Sequence, residues 1–400
     1  MFSGTFFVST PLIAHIVVTH THSQKEFDIM TKQKLTYKFD QVGSYLRPAA
    51  LKAAHKDFAA GDITEQQLTD IKHTAIEAVV AKEVAAGLHG ITDGEFNRSW
   101  WHLDFLWNLT GAAKFDYHAS YKFHGSKTRT DNVELVGKIA ANPNHPFYAD
   151  FDFLKSILPA GVEPKVTIPS PSMFFRDNRS DNWHKFYATW GAYLNDLAQA
   201  YHDTLLQFYA RGARYIQLDD TTWAFLIARL TENQDDPTEF TKYAQIAEDI
   251  VYVVNKVLAD LPDDLKVSTH ICRGNFKSTY LFEGSYAPVA AYLGQLNYDA
   301  FFLEYDNQRS GDFEPLQQIW NGRDNVEIVL GLVTSKFPEL EAKDAVKARI
   351  TEATKYVPLS NLALSTQCGF SSTEEGNELT EADEFAKLNL IREISEEVWG

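Results

Sequence analysis

A chain of 400 residues with 44% apolar content can bury a large core, as two or more domains or as one (β/α)₈ barrel with insertions. Its formal charge of −17 argues against nucleic acid or an anionic membrane as a partner, since both need a basic face. Two cysteines form no even-numbered disulfide framework and fit a reducing, cytoplasmic setting, and no apolar run reaches the length of a membrane span.

Residues 1–29 differ in character from the rest. Phe6-Phe7-Val8 and Leu12 to Val18 are apolar enough for a signal peptide, but the segment lacks a basic leading region and carries His15, His20 and His22. Met30-Thr31-Lys32-Gln33-Lys34 reads as an ordinary cytosolic start, so 1–29 is expected to be a non-core extension and 30–400 a single catalytic domain.

Phe39 to Ser44 predicts a short strand running into a Gly-Ser turn. Thr64-Glu65-Gln66-Gln67 is a capping box, followed by Leu68, Ile71, Ile76, Val79, Val80 and Val84 at helical spacing and by Gly87 as a stop. Gly90-Ile91-Thr92-Asp93-Gly94-Glu95 is a second strand ending in carboxylates. From about 100 to 158 an aromatic and polar stretch with short alternating pieces predicts a β-hairpin-like insertion after that strand, a place where insertions cover an active-site face.

Beyond it, helices and strands alternate. A helix from about Trp183 to Ala210 precedes Tyr215-Ile216-Gln217-Leu218-Asp219-Asp220, and a helix from about Thr238 to Ala259 precedes the run Lys266 to His270. Ala300 to Glu304 is an apolar run ending in a carboxylate. Asn325 to Gly331 precedes a helix expected to open at Phe337-Pro338-Glu339-Leu340, and Leu362-Ala363-Leu364-Ser365 follows it. A last helix carrying Phe385, Leu388, Ile391, Ile394 and Val398 is expected on the exterior. Strands near 41, 91, 166, 216, 268, 302, 328 and 363, separated mostly by helices, give an α/β fold, a (β/α)₈ TIM barrel.

In such a barrel the C-terminal ends of all strands face one mouth. His270 and Cys272 lie two apart at a strand end and so share a face, an imidazole and a thiol of the kind Zn²⁺ selects. Cys368, the other cysteine, also ends an apolar run before a glycine, and Glu304 ends the run between them.

His270-Ile271-Cys272-Arg273-Gly274-Asn275, a strand ending in Glu304 and a late Cys368-Gly369 resemble the catalytic domain of cobalamin-independent methionine synthase, over about residues 39–372. The resemblance implies a catalytic zinc on His270, Cys272, Glu304 and Cys368. It also implies homocysteine as acceptor, with Glu95 and Asp219 for its ammonium and the turn Val42-Gly43-Ser44 for its carboxylate. The implied reaction moves a methyl group from a 5-methyltetrahydrofolate-type or other activated donor to the thiolate of homocysteine, giving methionine.

Two features depart from the family pattern. No second, N-terminal barrel fits in this length, so the chain is similar to the short, single-barrel members. A family Ile-His-Ser-Pro stretch, whose His is associated with proton transfer, reads here Ser335-Lys336-Phe337-Pro338, which leaves the proton donor open and offers Lys336 as a donor-binding cation. The alternative is a related thiol alkyl- or methyltransferase with a corrinoid donor or another thiol. A metal-free decarboxylase and a zinc-stabilised binding protein fit the Cys, His and Glu placement less well.

Overall fold

The computed structural model describes residues 37–118, 122–123 and 126–400; the expectations for 1–29 lie outside them. Eight parallel strands form one sheet: β1 (Phe39–Asp40), β2 (Gly90–Ile91), β3 (Glu163–Pro169), β4 (Tyr215–Asp220), β5 (Lys266–Ile271), β6 (Ala300–Glu304), β7 (Glu327–Val333) and β8 (Leu362–Thr366). The strand order is β1-β8-β7-β6-β5-β4-β3-β2, a nearly closed barrel. Its seam lies between the two-residue strands β1 and β2 and is bridged by Tyr45 N to Gly94 O at 3.1 Å and Thr92 Oγ1 to Gly43 O at 2.7 Å.

Period-2 alternation sets which residues look inward. Ile216 and Leu218, Val267 and Ile271, Phe301 and Leu303, and Ile328 and Leu330 pack outward against the helices in the main core. Their neighbours face the barrel axis, where Tyr215, Ala300, Phe302, Val329 and Ala363 form a small apolar floor. The fully buried Lys165 crosses that floor, 3.1 Å from Asp40 Oδ2, with its ammonium 4.5 Å from the Phe302 ring centroid. A buried cation here is tolerable because it is paired and lies against aromatic faces.

Helices clad the outside, including Glu65–Ala85, Trp190–Ala210, Pro237–Leu258 and Glu381–Trp399. The capping box at Thr64 and Gln67 is formed in both directions, and Gly87 follows with φ +82°, a conformation that glycine adopts without a Cβ clash. The helix expected from Phe337 begins at Lys343 instead. Before it the chain folds back, with the Glu341 carboxylate accepting from Thr334 N at 2.8 Å. After β2, Thr110–Asp116 and Asp131–Ala140 pair antiparallel, and the helix Pro146–Ile157 leads into β3. No helix among the described residues is long and apolar enough to cross a membrane.

Candidate active site

Asp219 and His270 are register partners on β4 and β5, and His270 in turn pairs with Phe302 on β6, one inward step before Glu304. The C-terminal rim therefore carries these polar side chains side by side. Ligand-capable atoms of His270, Glu304 and Cys368 all lie within 4.8 Å of one another. Cys272 joins them, its Sγ 3.6 Å from that of Cys368.

Backbone packing holds the cluster together. Asn275 Nδ2 donates to Gly369 O at 2.9 Å and reaches Ser335 Oγ at 3.3 Å, so the Gly274-Asn275 turn ties the ends of β5, β7 and β8. Gly331 sits where a Cβ would come within 2.9 Å of both Leu303 O and Gln367 Cα, which makes glycine a requirement of strand spacing beside the site. Gly369 is equally constrained, since a Cβ there would lie 2.1 Å from Ser44 Oγ.

The electrostatics set the four groups apart: Glu304 and Cys368 are moved toward the ligating, deprotonated form, while His270 and Cys272 hold protons that a metal would displace. Glu304 accepts from Arg273 N at 2.9 Å and from the Arg309 guanidinium at 2.8 Å. Burial pushes its carboxyl up, but Lys336, Arg309 and His270 outweigh that and hold it below the ordinary carboxylate range. Hydrogen bonding between the two thiols lowers Cys368, and the same bond with burial raises Cys272. For His270, burial disfavours the charge, yet the hydrogen bond to Asp219 and the charges of Cys368, Asp219 and Glu304 raise it to about 9.

The chemistry of this donor set fits a zinc ion. An imidazole, two thiols and a carboxylate match zinc's borderline softness, and binding it would displace the protons of His270 and the thiols. His270 Nδ1 lies 3.3 Å from Asp219 Oδ1, the outer carboxylate that commonly orients a metal-binding imidazole.

Above the cluster lies a cavity of about 290 Å³, lined by Val42, Ser44, Glu95, Asp219, His270, Cys272 and Cys368 and by Trp101, Gly369 and Ser372. Ser44 is fixed by the β8 loop, its carbonyl accepting from Phe370 N at 2.8 Å and its hydroxyl from Ser371 N at 3.2 Å. Gly43 cannot be replaced easily, because its φ is +153° and a Cβ would lie 2.8 Å from Thr167 Cγ2. Glu95 uses Oε1 for Thr167 Oγ1 at 2.9 Å and Arg98 at 3.3 Å, while its buried Oε2 has no partner among the described residues. Burial, and then Asp219, raise its pKa against the pull of Arg98.

Lys336 lies beside the cluster, close enough for its charge to act on Glu304 and Cys368, but not on the cavity wall. Its Nζ is buried beside Asp306 Oδ2 at 3.5 Å, and neither residue belongs to the cavity lining. Trp101, Ser372, Arg98 and Arg309 were not singled out by sequence reasoning, and the only cue was the Trp100-Trp101 pair beside the acidic end of β2.

Residues 39–395 match the family model described as the cobalamin-independent synthase catalytic domain. The uncharacterized protein YxjG of Bacillus subtilis is 44% identical over 372 residues, 92% of this chain and 97% of that one. The methionine synthase of Pyrococcus horikoshii is 23% identical over 363 residues, 88% and 93% of the two chains. A crystal structure titled as a candidate vitamin-B12 independent methionine synthase from Listeria monocytogenes superposes with TM-score 0.70 at 37% identity, covering 91% of this chain and 98% of that one.

Proposed function

The chain belongs to the cobalamin-independent methionine synthase family, and on that premise we propose that it is a zinc-dependent S-methyltransferase acting on homocysteine to give methionine. The observation that carries the proposal is the convergence of His270, Glu304 and Cys368, with Cys272 alongside, at the floor of a cavity whose walls bear Glu95 and Asp219. The zinc ligands in this reading are His270, Cys272, Glu304 and Cys368. When bound by two thiolates and a carboxylate, zinc supplies little Lewis acidity for hydrolysis but holds an added thiol as a nucleophilic thiolate at neutral pH.

The protein's own residues orient the acceptor. Glu95 Oε2 and Asp219 offer negative charge to an ammonium, and the unpartnered Oε2 gains a charge-assisted hydrogen bond when one arrives. The Val42-Gly43-Ser44 turn, pinned to the β8 loop, would receive the carboxylate. Arg98 and Thr167 hold Glu95 in place, and Gln217 Nε2, 2.7 Å from Asp219 Oδ1, does the same for Asp219. Paired acids beside the thiol site favour an amino-acid thiol over a sulfonate thiol, which has no ammonium to satisfy them.

Metal analysis of the purified full chain, followed by methyl-transfer assays, tests the proposal. The expected result is about one zinc per chain and methionine formed from homocysteine with 5-methyltetrahydrofolate, methylcobalamin or a methyl sulfonium as donor. A protein that carries no zinc after reconstitution, or that methylates coenzyme M in preference to homocysteine, refutes it.

A further inference from the structure

A second cavity of about 510 Å³ opens beside the first and shares Trp101, Cys272 and Ser372 with it. Its walls include Trp100, Trp101, Phe276 and Phe282, and none of its described lining residues is acidic in a chain with 54 acidic residues. The cation in the wall is Arg176, fixed by Thr221 Oγ1 at 2.8 Å and lying 5.3 Å from the Phe282 ring centroid. A cavity of this kind accepts a flat ring system with acceptor atoms rather than a free cation.

His102 lines the same cavity and is 4% exposed. Its ring sits against both tryptophans, with centroids 4.5 Å from Trp101 and 5.8 Å from Trp100. Its Nε2 lies 3.2 Å from an Arg179 guanidinium nitrogen. A guanidinium can only donate, so Nε2 accepts and the ring proton is on Nδ1. That Nδ1 is buried and has no hydrogen-bond partner among the described residues. Burial and the positive charges of Arg179 and Arg176 hold the imidazole well below its ordinary pKa, so the ring is neutral and keeps this proton near pH 7. An unpaired buried N–H costs roughly 1–3 kcal/mol, a cost that a bound acceptor removes.

We infer that the Nδ1–H of His102 is the hydrogen-bond donor that positions the methyl donor, binding a carbonyl oxygen or ring nitrogen of a planar heteroaromatic group held in the aromatic cavity next to Cys272. The inference rests on the methyltransferase reading of the adjoining site. Arg179 acts through His102 by fixing its tautomer, and His102 holds its proton rather than transferring it, so its effect falls on binding and alignment.

The test uses the full chain and 5-methyltetrahydrofolate as probe, with binding followed by tryptophan fluorescence and therefore without turnover. His102→Leu removes the donor and keeps the bulk, whereas His102→Asn keeps an N–H near the Nδ1 position. The expected result is probe affinity weakened about tenfold or more in His102→Leu and largely retained in His102→Asn. Homocysteine affinity, measured by calorimetry, stays within about twofold in both. Should His102→Leu fail to fold, the imidazole N–H resonance of the wild type gives the answer, since it must shift when the probe binds. Equal probe affinity in wild type and His102→Leu, an unmoved N–H resonance, or no probe binding to the wild type overturns the inference. The homocysteine titration then shows separately whether the acceptor site stands.

Discussion

Replacing Glu95 by Gln tests the acceptor site most directly. The carboxylate already commits Oε1 to Thr167 and Arg98 and leaves the buried Oε2 unpartnered. A substrate ammonium therefore gains one charge-assisted hydrogen bond from Glu95, worth roughly 1.5–3 kcal/mol. The glutamine keeps the Thr167 contact through its carbonyl but loses the charge, so KM for homocysteine should rise roughly ten- to a hundredfold. Because the ammonium is bound alike in ground and transition states, kcat should change by only a few-fold. Arg98 also loses its anionic partner in this variant, and some fold stability goes with it. The control is 4-mercaptobutyrate, which is homocysteine without the amino group. Its KM should be nearly the same in wild type and variant, because it brings no ammonium for either to recognise. A variant that loses affinity for both thiols equally would show that Glu95 acts through Arg98 and the fold, refuting its role in ammonium recognition.

Cys368→Ser should lose most of its zinc while unfolding at nearly the wild-type temperature; full zinc occupancy by elemental analysis would rule out Cys368 as a ligand. Homocysteine binding to the zinc-loaded protein should release a proton near pH 7, because the bound thiol is a thiolate, so the calorimetric enthalpy should vary with the ionisation enthalpy of the buffer. Glu384 is buried and its pKa is raised from 4.5 to about 8, mainly by burial and despite the hydrogen bond from Leu46 N. The folded state thus holds an extra proton between these values; the stability it brings is fully present below the lower one and is lost as pH rises toward the upper one. Glu384→Gln should therefore gain stability relative to wild type between pH 5 and pH 9, by up to about 4 kcal/mol in denaturant melts; a pH-independent difference would refute it.

The barrel was legible because most of its strands are short apolar runs that end in Gly, Asp, Glu or Cys, and inward facing follows from counting by two. His270, Cys272, Glu304 and Cys368 could be picked out for that reason, each standing at or just past the end of such a run. What assembles around them was not legible. Arg309 reaches back five positions to Glu304 across a short turn, and Arg98 pairs with Glu95 in a turn where Glu95 itself has φ +61°, a conformation the sequence pattern does not announce. Lys336 is the converse case. Its place after β7 suggested a reach toward the methyl donor, but the Asp306 carboxylate holds it away from the cavity wall. His102 also escaped notice, since its importance depends on Arg179, 77 positions away.

In the proposed function, the gap between β1 and β2 gives the amino-acid site a mechanical role. Val42, Gly43 and Ser44 hang from one lip of that gap and Glu95 from the other, and only a few loop hydrogen bonds cross between them. A molecule grasped by its carboxylate on one lip and its ammonium on the other is a stitch, closing the barrel where the ladder leaves off. Amide protons around Gly43, Thr92 and Gly94 should then exchange fastest in the empty protein and slow most when the acceptor arrives.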